Sequence, residues 1–369
     1  MGKPFQYITE SKLQAFTHIN GKQYLYFAGT GYFQLQSHPE LIEAAVTATR
    51  KYGIGSATSR TINGTTPLLT NLEKKIAEFF QTDDAAYLPS GYLSNVAGIQ
   101  ALSEMGLFDV VFIDEKAHYS NTSAALASGK KVISFHHLDP DDLQKKISKT
   151  LRISEKPLIV SDGLFPIWAK VAPVPAYLNI AQKYDGIIWM DDAHGVGILG
   201  ENGRGVYEHF QLHDERLFMG ATLSKAFGAY GGIVTGNQSF IDTLKSGDVM
   251  TGTNSPPAAL AAAGLKGIEL IQNHSAFLRQ LRKNALYLKE KLRQAGLEVD
   301  KNDLPIVTFS TGNETRMKSI QQMLMEEGIY IQHVKYVGSG DDGVLRIVVS
   351  SEHTKNQIDL LVSSLLKHL

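Results

Sequence analysis

No cysteine occurs in this 369-residue chain. Its absence excludes disulfides, thiolate metal sites and a thiol nucleophile, and it fits a reducing compartment. Neither sign of charge is in excess: Lys and Arg number 36 against 37 Asp and Glu, a net charge of −1. No broad electrostatic footprint for nucleic acid or an anionic membrane is therefore expected. Long apolar runs are also missing, and none approaches the roughly 18 residues that span a bilayer. The stretch from Met1 to Tyr7 lacks the apolar core of a signal peptide. These absences point to a cytoplasmic protein with no membrane span. What is present is core-forming material: 43% of the residues are hydrophobic, and the length suits about two or three domains.

Along the chain, residues 1–40 read as an N-terminal arm with one short strand at 23–27. A helix starts at Pro39 and ends near Gly53, where a polar loop rich in Gly, Ser and Thr runs to Pro67. A second helix carries Leu72, Ile76, Phe79 and Phe80 as its apolar stripe. From residue 85, short apolar runs alternate with helical patterns. Strands are expected at 85–88, 110–113, 132–135, 158–161, 187–190, 217–219 and 233–235, with helices at 92–105, 141–149 and 175–184 among them. This alternation implies an α/β fold, a mainly parallel sheet covered by helices on both faces. Ligands of such sheets sit just past the carboxyl ends of the strands. The domain reading is a large domain over 41–270 and a smaller α+β domain over 271–369. In the latter, strands are expected at 306–309, 329–332 and 345–349.

Several polar groups fall at those strand ends. Ser90-Gly91-Tyr92 follows a strand and opens a helix; by itself this reads first as a plain capped turn, and free N–H groups there can also cradle a phosphate. Asp114 and His118 follow the next strand but are too few for a metal site; His118 suits either a structural role or stacking on a ring. Asp191-Asp192-Ala193-His194 ends a buried run, so its carboxylates can cap a turn or hold a protonated heteroaromatic nitrogen. Lys225 lies between Thr222-Leu223-Ser224 and the glycine-rich Gly228–Gly232. A lysine in so tight a passage loses its proton more readily than an exposed one, as Schiff-base chemistry requires. Arg346 interrupts an apolar strand, where a guanidinium needs either a structural acid or a substrate carboxylate.

Taken together, these segments resemble the α-oxoamine synthase family of fold type I enzymes that depend on pyridoxal 5′-phosphate (PLP). The resemblance runs from Ser37-His38-Pro39-Glu40 to Arg346. Its most specific parts are Asp191-Asp192-Ala193-His194-Gly195 with Gly197, and Thr222-Leu223-Ser224-Lys225-Ala226-Phe227-Gly228. Ser59-Arg60, Ser90-Gly91-Tyr92 with Asn95, and Pro256-Pro257 support it.

The resemblance implies that Lys225 carries PLP as a Schiff base and later shuttles protons, while Asp191 pairs with the pyridine nitrogen. It gives His194 the phenolic oxygen and His118 the ring face. Ser90, Gly91 and Tyr92 would meet the phosphate, with Thr222 adding a hydroxyl and Thr253 reaching the phosphate of a neighbouring subunit in a homodimer. Arg346 would take the amino acid's carboxylate, with Thr30 and Arg60 as further substrate-side residues. The implied reaction condenses a small amino acid with an acyl-CoA; the alternative on the same scaffold is an aminotransferase or decarboxylase. The substrate side departs from the family's pattern. Across Asp162–Lys170 a serine is replaced by Pro166 and two acids are lost, Thr30 stands where Asn is frequent, and Leu69 replaces a histidine.

Overall fold

A computed structural model of the protein describes residues 6–369. Two short strands come first, β1 (Phe16–Ile19) and β2 (Lys22–Tyr26), then helices α1 (Pro39–Tyr52) and α2 (Pro67–Phe80). An alternating run follows: β3 (Asp84–Leu88), α3 (Gly91–Glu104), β4 (Val110–Asp114), α4 (Tyr119–Ala127), β5 (Lys131–Phe135), α5 (Pro140–Thr150) and β6 (Pro157–Asp162). After a small ribbon, β7 (Leu164–Phe165) with β8 (Lys170–Val171), come α6 (Val174–Lys183), β9 (Ile187–Asp191), α7 (Val206–His209), β10 (Leu217–Thr222) and β11 (Gly232–Gly236). Helices α8 (Gln238–Ser246), α9 (Asp248–Thr251), α10 (Ala258–Asn273) and α11 (Ala276–Gln294) lead to β12 (Ile306–Phe309) and α12 (Glu314–Glu326). The chain closes with β13 (Ile329–Tyr330), β14 (Gln332–Val334), β15 (Val344–Val348) and α13 (Lys355–His368).

Contacts divide the chain into two compact units. The larger comprises Pro39–Phe165 and Lys170–His274; the other comprises the chain up to His38, Pro166–Ala169 and Ser275–Leu369.

In the larger unit, seven strands form one sheet in the order β3-β11-β10-β9-β6-β4-β5. Strands β10, β9, β6, β4 and β5 pair in parallel, and β11 runs antiparallel to both of its neighbours. Central strands covered on both faces need uninterrupted apolar runs, and β4, β6 and β9 are buried at every position. The helix starts are set by local chemistry. Ser90 accepts from Leu93 N at 3.3 Å to open α3, and Asp139 accepts from Asp141 N and Asp142 N ahead of Pro140 to open α5. The polar loop after α1 holds one five-residue π-type turn at Arg60–Gly64.

In the other unit, β1 pairs with β2, and β2 pairs in parallel with β13. The segment before α1 thus contains two strands where the sequence suggests one. A second sheet, β12-β15-β14, is antiparallel and packs its apolar side chains with those of α11, α12 and α13, among them Leu288, Ile320 and Leu361. The single strand expected at 329–332 is split at Ile331, its first half joining β2 and its second joining β15. No helix among the described residues is long and apolar enough to cross a membrane.

Candidate active site

Asp162 and Asp191 end the adjacent parallel strands β6 and β9 in register with each other, and Thr222 ends the neighbouring β10. Parallel strands that stop together leave a crevice at their carboxyl edge. Here Gly91, Tyr92, His118, Asp191, His194, Thr222 and Lys225 line one cavity of about 220 Å³, with Ser120, Asp162, Ala193 and Ser224 completing its wall.

Each of these side chains is held by its own element. Lys225, half-buried, sits on the loop that turns β10 into β11. That loop is closed by Leu223 N donating to Gly231 O at 3.0 Å, Ala229 N to Leu223 O at 3.0 Å and the Thr222 hydroxyl to Gly231 O at 2.8 Å. Gly231 has a φ of 104°, and a Cβ there would overlap the Tyr87 ring, so only glycine closes the loop. A Cβ on Gly91 would lie 2.9 Å from Thr222 Cβ, which makes the start of α3 a close backbone approach to the end of β10. The first N–H groups of a helix have no partner within it, so those of α3 are directed at this crevice.

The two neighbouring aspartates have separate jobs. Asp191 Oδ1 accepts from Ala193 N at 3.1 Å and Oδ2 from Asn95 Nδ2 at 2.6 Å, while the carboxyl lines the cavity. Asp192 is turned away and fully buried, accepting from Val206 N at 2.6 Å, and Gly163, Gly195 and Gly205 crowd around it. Burial pushes the Asp192 carboxyl well up from its usual value. It ties the turn that carries His194 to the start of α7.

His118 caps α4: its Nδ1 accepts from Ser120 N at 3.1 Å and contacts the Ser120 hydroxyl. Burial lowers its proton affinity below the usual histidine value, partly opposed by Asp191 and reinforced by Lys225. Asp162, which carries no role in the sequence reading, accepts from His118 N at 3.0 Å and Asn121 Nδ2 at 2.9 Å. Burial first, and then Asp191 beside it, push its carboxyl well up. Its place after a predicted strand is the same signal that marks Asp191. Trp189, which completes the surroundings of Asp191, gives no comparable signal, and Asn95 is marked only as part of the motif with Ser90-Gly91-Tyr92.

Other sequence-predicted residues have partners of their own. Ser90 caps α3. Arg60 is in an ion pair with Glu73, its Nη2 at 2.8 Å from Oε2, and its Nη1 also meets Tyr87 O at 3.4 Å. The Thr253 hydroxyl donates to Val249 O at 2.7 Å. Leu69 is fully buried in α2. Arg346 and Thr30 belong to the other unit. There Arg346 Nε donates to Pro166 O at 2.9 Å and Nη1 to Gly29 O at 3.1 Å, while Nη2 is buried without a hydrogen-bond partner. Thr30 lines a cavity of about 40 Å³ with Gln34, Ser350 and His353.

A mainly parallel sheet with its polar crevice at the strand ends and a lysine on the β10–β11 loop has the architecture of a fold type I transferase. Comparison with known proteins defines the family. The model of aminotransferase class I and II matches residues 29–365. An 8-amino-7-oxononanoate synthase of Thermoanaerobacter pseudethanolicus is 34% identical over 92% of this chain and 86% of its own length. A serine palmitoyltransferase of Sphingobacterium spiritivorum is 32% identical over 97% and 90%. A solved serine palmitoyltransferase chain with PLP superposes with a TM-score of 0.92 at 25% identity, covering 100% of this chain and 93% of its own. The chain belongs to the class I and II aminotransferase family and, within it, to the α-oxoamine synthases.

Proposed function

We propose that the protein is a PLP-dependent C-acyltransferase of the 8-amino-7-oxononanoate synthase type, condensing a small amino acid with an acyl-CoA. One observation carries the reading: an amine, two carboxyl groups, two imidazoles and a helix N-terminus converge on one cavity of about 220 Å³. Those residues fit the cofactor. The close approach at Gly91, which a Cβ would block against Thr222, leaves α3 N–H groups for a phosphate; the Thr222 and Ser224 hydroxyls would serve it by turning from Gly231 O and from each other. Asp191, with both oxygens already accepting hydrogen bonds, suits a protonated ring nitrogen.

When bound, PLP supplies an electron sink for charge that develops on the amino acid's Cα. Lys225 Nζ would hold its aldehyde end and would move the proton at the amino acid's Cα. Asp191 holds a proton on the ring nitrogen, His194 orients the phenolic oxygen, and neutral His118 covers the ring face. The new bond joins Cα to the acyl carbon as the thioester C–S bond breaks and CoA leaves as its thiol, giving a β-keto amino acid or, where CO₂ is then lost, an α-amino ketone. Arg346 is assigned the amino acid's carboxylate, through the buried Nη2 that has no protein acceptor; Thr30 and Arg60 stay further substrate-side assignments. The same reading makes the protein a cytoplasmic homodimer in which Thr253 serves the neighbouring subunit's phosphate.

The test is thiol release. Purified protein loaded with PLP is given glycine, alanine or serine with a series of acyl-CoAs, and free CoA is followed. CoA release that needs the amino acid supports the acyltransferase. Accumulation of pyridoxamine phosphate without CoA release supports the aminotransferase instead. Lys225→Ala is expected to abolish turnover and borohydride fixation of the cofactor; unchanged turnover in that variant overturns the reading.

A further inference from the structure

The contacts behind Asp191 and His118 form a single directed chain. Trp189 Nε1, which can only donate, meets Asn95 Oδ1 at 3.0 Å. That bond decides which way the Asn95 amide faces, so both of its N–H groups point forward. One goes to Asp191 Oδ2 at 2.6 Å and the other to Ser120 Oγ at 2.8 Å. Ser120 Oγ has one proton; having accepted from Asn95, it passes that proton to His118 Nδ1, which also accepts from Ser120 N at 3.1 Å. His118 is thereby fixed with its remaining ring proton on Nε2. Trp189, Asn95 and Ser120 are each at most 1% exposed. The indole is seated by two glycines: a Cβ on Gly98 would overlap its ring, and one on Gly220 would come within 2.6 Å of it.

Every donor and acceptor of the Asn95 amide is used, and its two donors serve the two groups that the proposed function sets against the cofactor ring. We propose that Asn95, oriented by Trp189, is a positioning residue that couples the ring-nitrogen carboxylate of Asp191 to the ring-stacking imidazole of His118. A turned amide would present its oxygen to Asp191, acceptor against acceptor, and would take the proton from the Ser120–His118 bond. The indole N–H forbids that turn. The depressed proton affinity of His118 agrees with the tautomer the chain imposes.

This inference rests on the PLP reading, and its test separates the two. Apoprotein is titrated with PLP by absorbance, and the spectrum of the loaded protein is followed across pH. The variants are Trp189→Phe, which keeps an aromatic body and loses the donor, Asn95→Ala, and the pair together. Once the indole N–H is gone the amide is free to turn, and the Asn95 hydrogen bond to the charged Asp191 carboxylate is then lost, which corresponds to roughly a tenfold weakening. Trp189→Phe is expected to weaken PLP binding about tenfold and to move the pH midpoint of the bound chromophore. Adding it to Asn95→Ala should cost nothing further, because both act through one chain. If Asn95→Ala does not fold, Trp189→Phe alone decides. A Trp189→Phe protein with wild-type affinity and midpoint overturns the inference, as does a full additional loss in the double variant. A wild-type protein that takes up no PLP overturns the cofactor reading, and the inference with it.

Discussion

Replacing Arg60 with methionine is the perturbation that best separates a structural from a substrate-side role for this residue. The guanidinium and the Glu73 carboxylate are 11% and 6% exposed, so both charges are largely out of water. Removing one partner of such a pair leaves the other buried and uncompensated, a cost of about 3–5 kcal/mol. Glu73 has other support here: its Oε1 accepts from Tyr87 N at 2.9 Å, and Lys245 Nζ lies 3.9 Å from Oε2. Those contacts soften the loss, which places the expected destabilisation near the low end, about 3 kcal/mol. For a unit of this size that lowers the melting temperature by roughly 6–12 °C. The assay is a thermal melt with and without PLP, beside the KM for acyl-CoA. A large drop in melting temperature with KM unchanged supports the ion pair as the residue's main work. An unchanged melt with a raised KM would refute the reasoning and return Arg60 to the substrate.

Two further outcomes follow from buried groups. His353 is stacked on Phe27 at 4.1 Å, with Nδ1 accepting from Ser350 N at 2.9 Å and Nε2 facing Tyr26 O at 3.2 Å, so it is neutral in the fold. Burial pushes its pKa down to about 4 from 6.5. The unfolded chain takes up the proton first, so this stabilisation is full above pH 6.5 and is lost as pH falls from there to about 4. It amounts to about 3 kcal/mol. His353→Gln should flatten the fall in melting temperature across that window, and an identical slope in the variant would count against it. Gly98→Ala, which drives a methyl into the Trp189 ring, should cost about 1–3 kcal/mol in a urea melt and weaken PLP binding as well. A variant with wild-type stability would mean that the indole has room to move.

The large sheet was legible in the sequence because buried strands are written as short apolar runs, and β3, β4, β6 and β9 lie where those runs do. The same local grammar marks Asp191, His194, Thr222 and Lys225, since strand ends and glycine-closed loops announce themselves within about ten residues. Their convergence on one cavity follows from the sheet itself, which stacks the carboxyl ends of its strands. Partnerships across long separations were not legible. Arg60 with Glu73, Arg346 with the carbonyls of Pro166 and Gly29, and the splitting of 329–332 between two sheets depend on register and topology. Nor do local patterns tell that Pro166–Ala169 groups with the C-terminal unit while the residues on either side of it group with the larger one. Composition and periodicity thus determined which segments would be buried and what chemistry the strand ends would carry. Which donor meets which acceptor was decided by the tertiary structure: a hydrogen bond such as Trp189 to Asn95 joins residues 94 positions apart and exists only once both elements are packed.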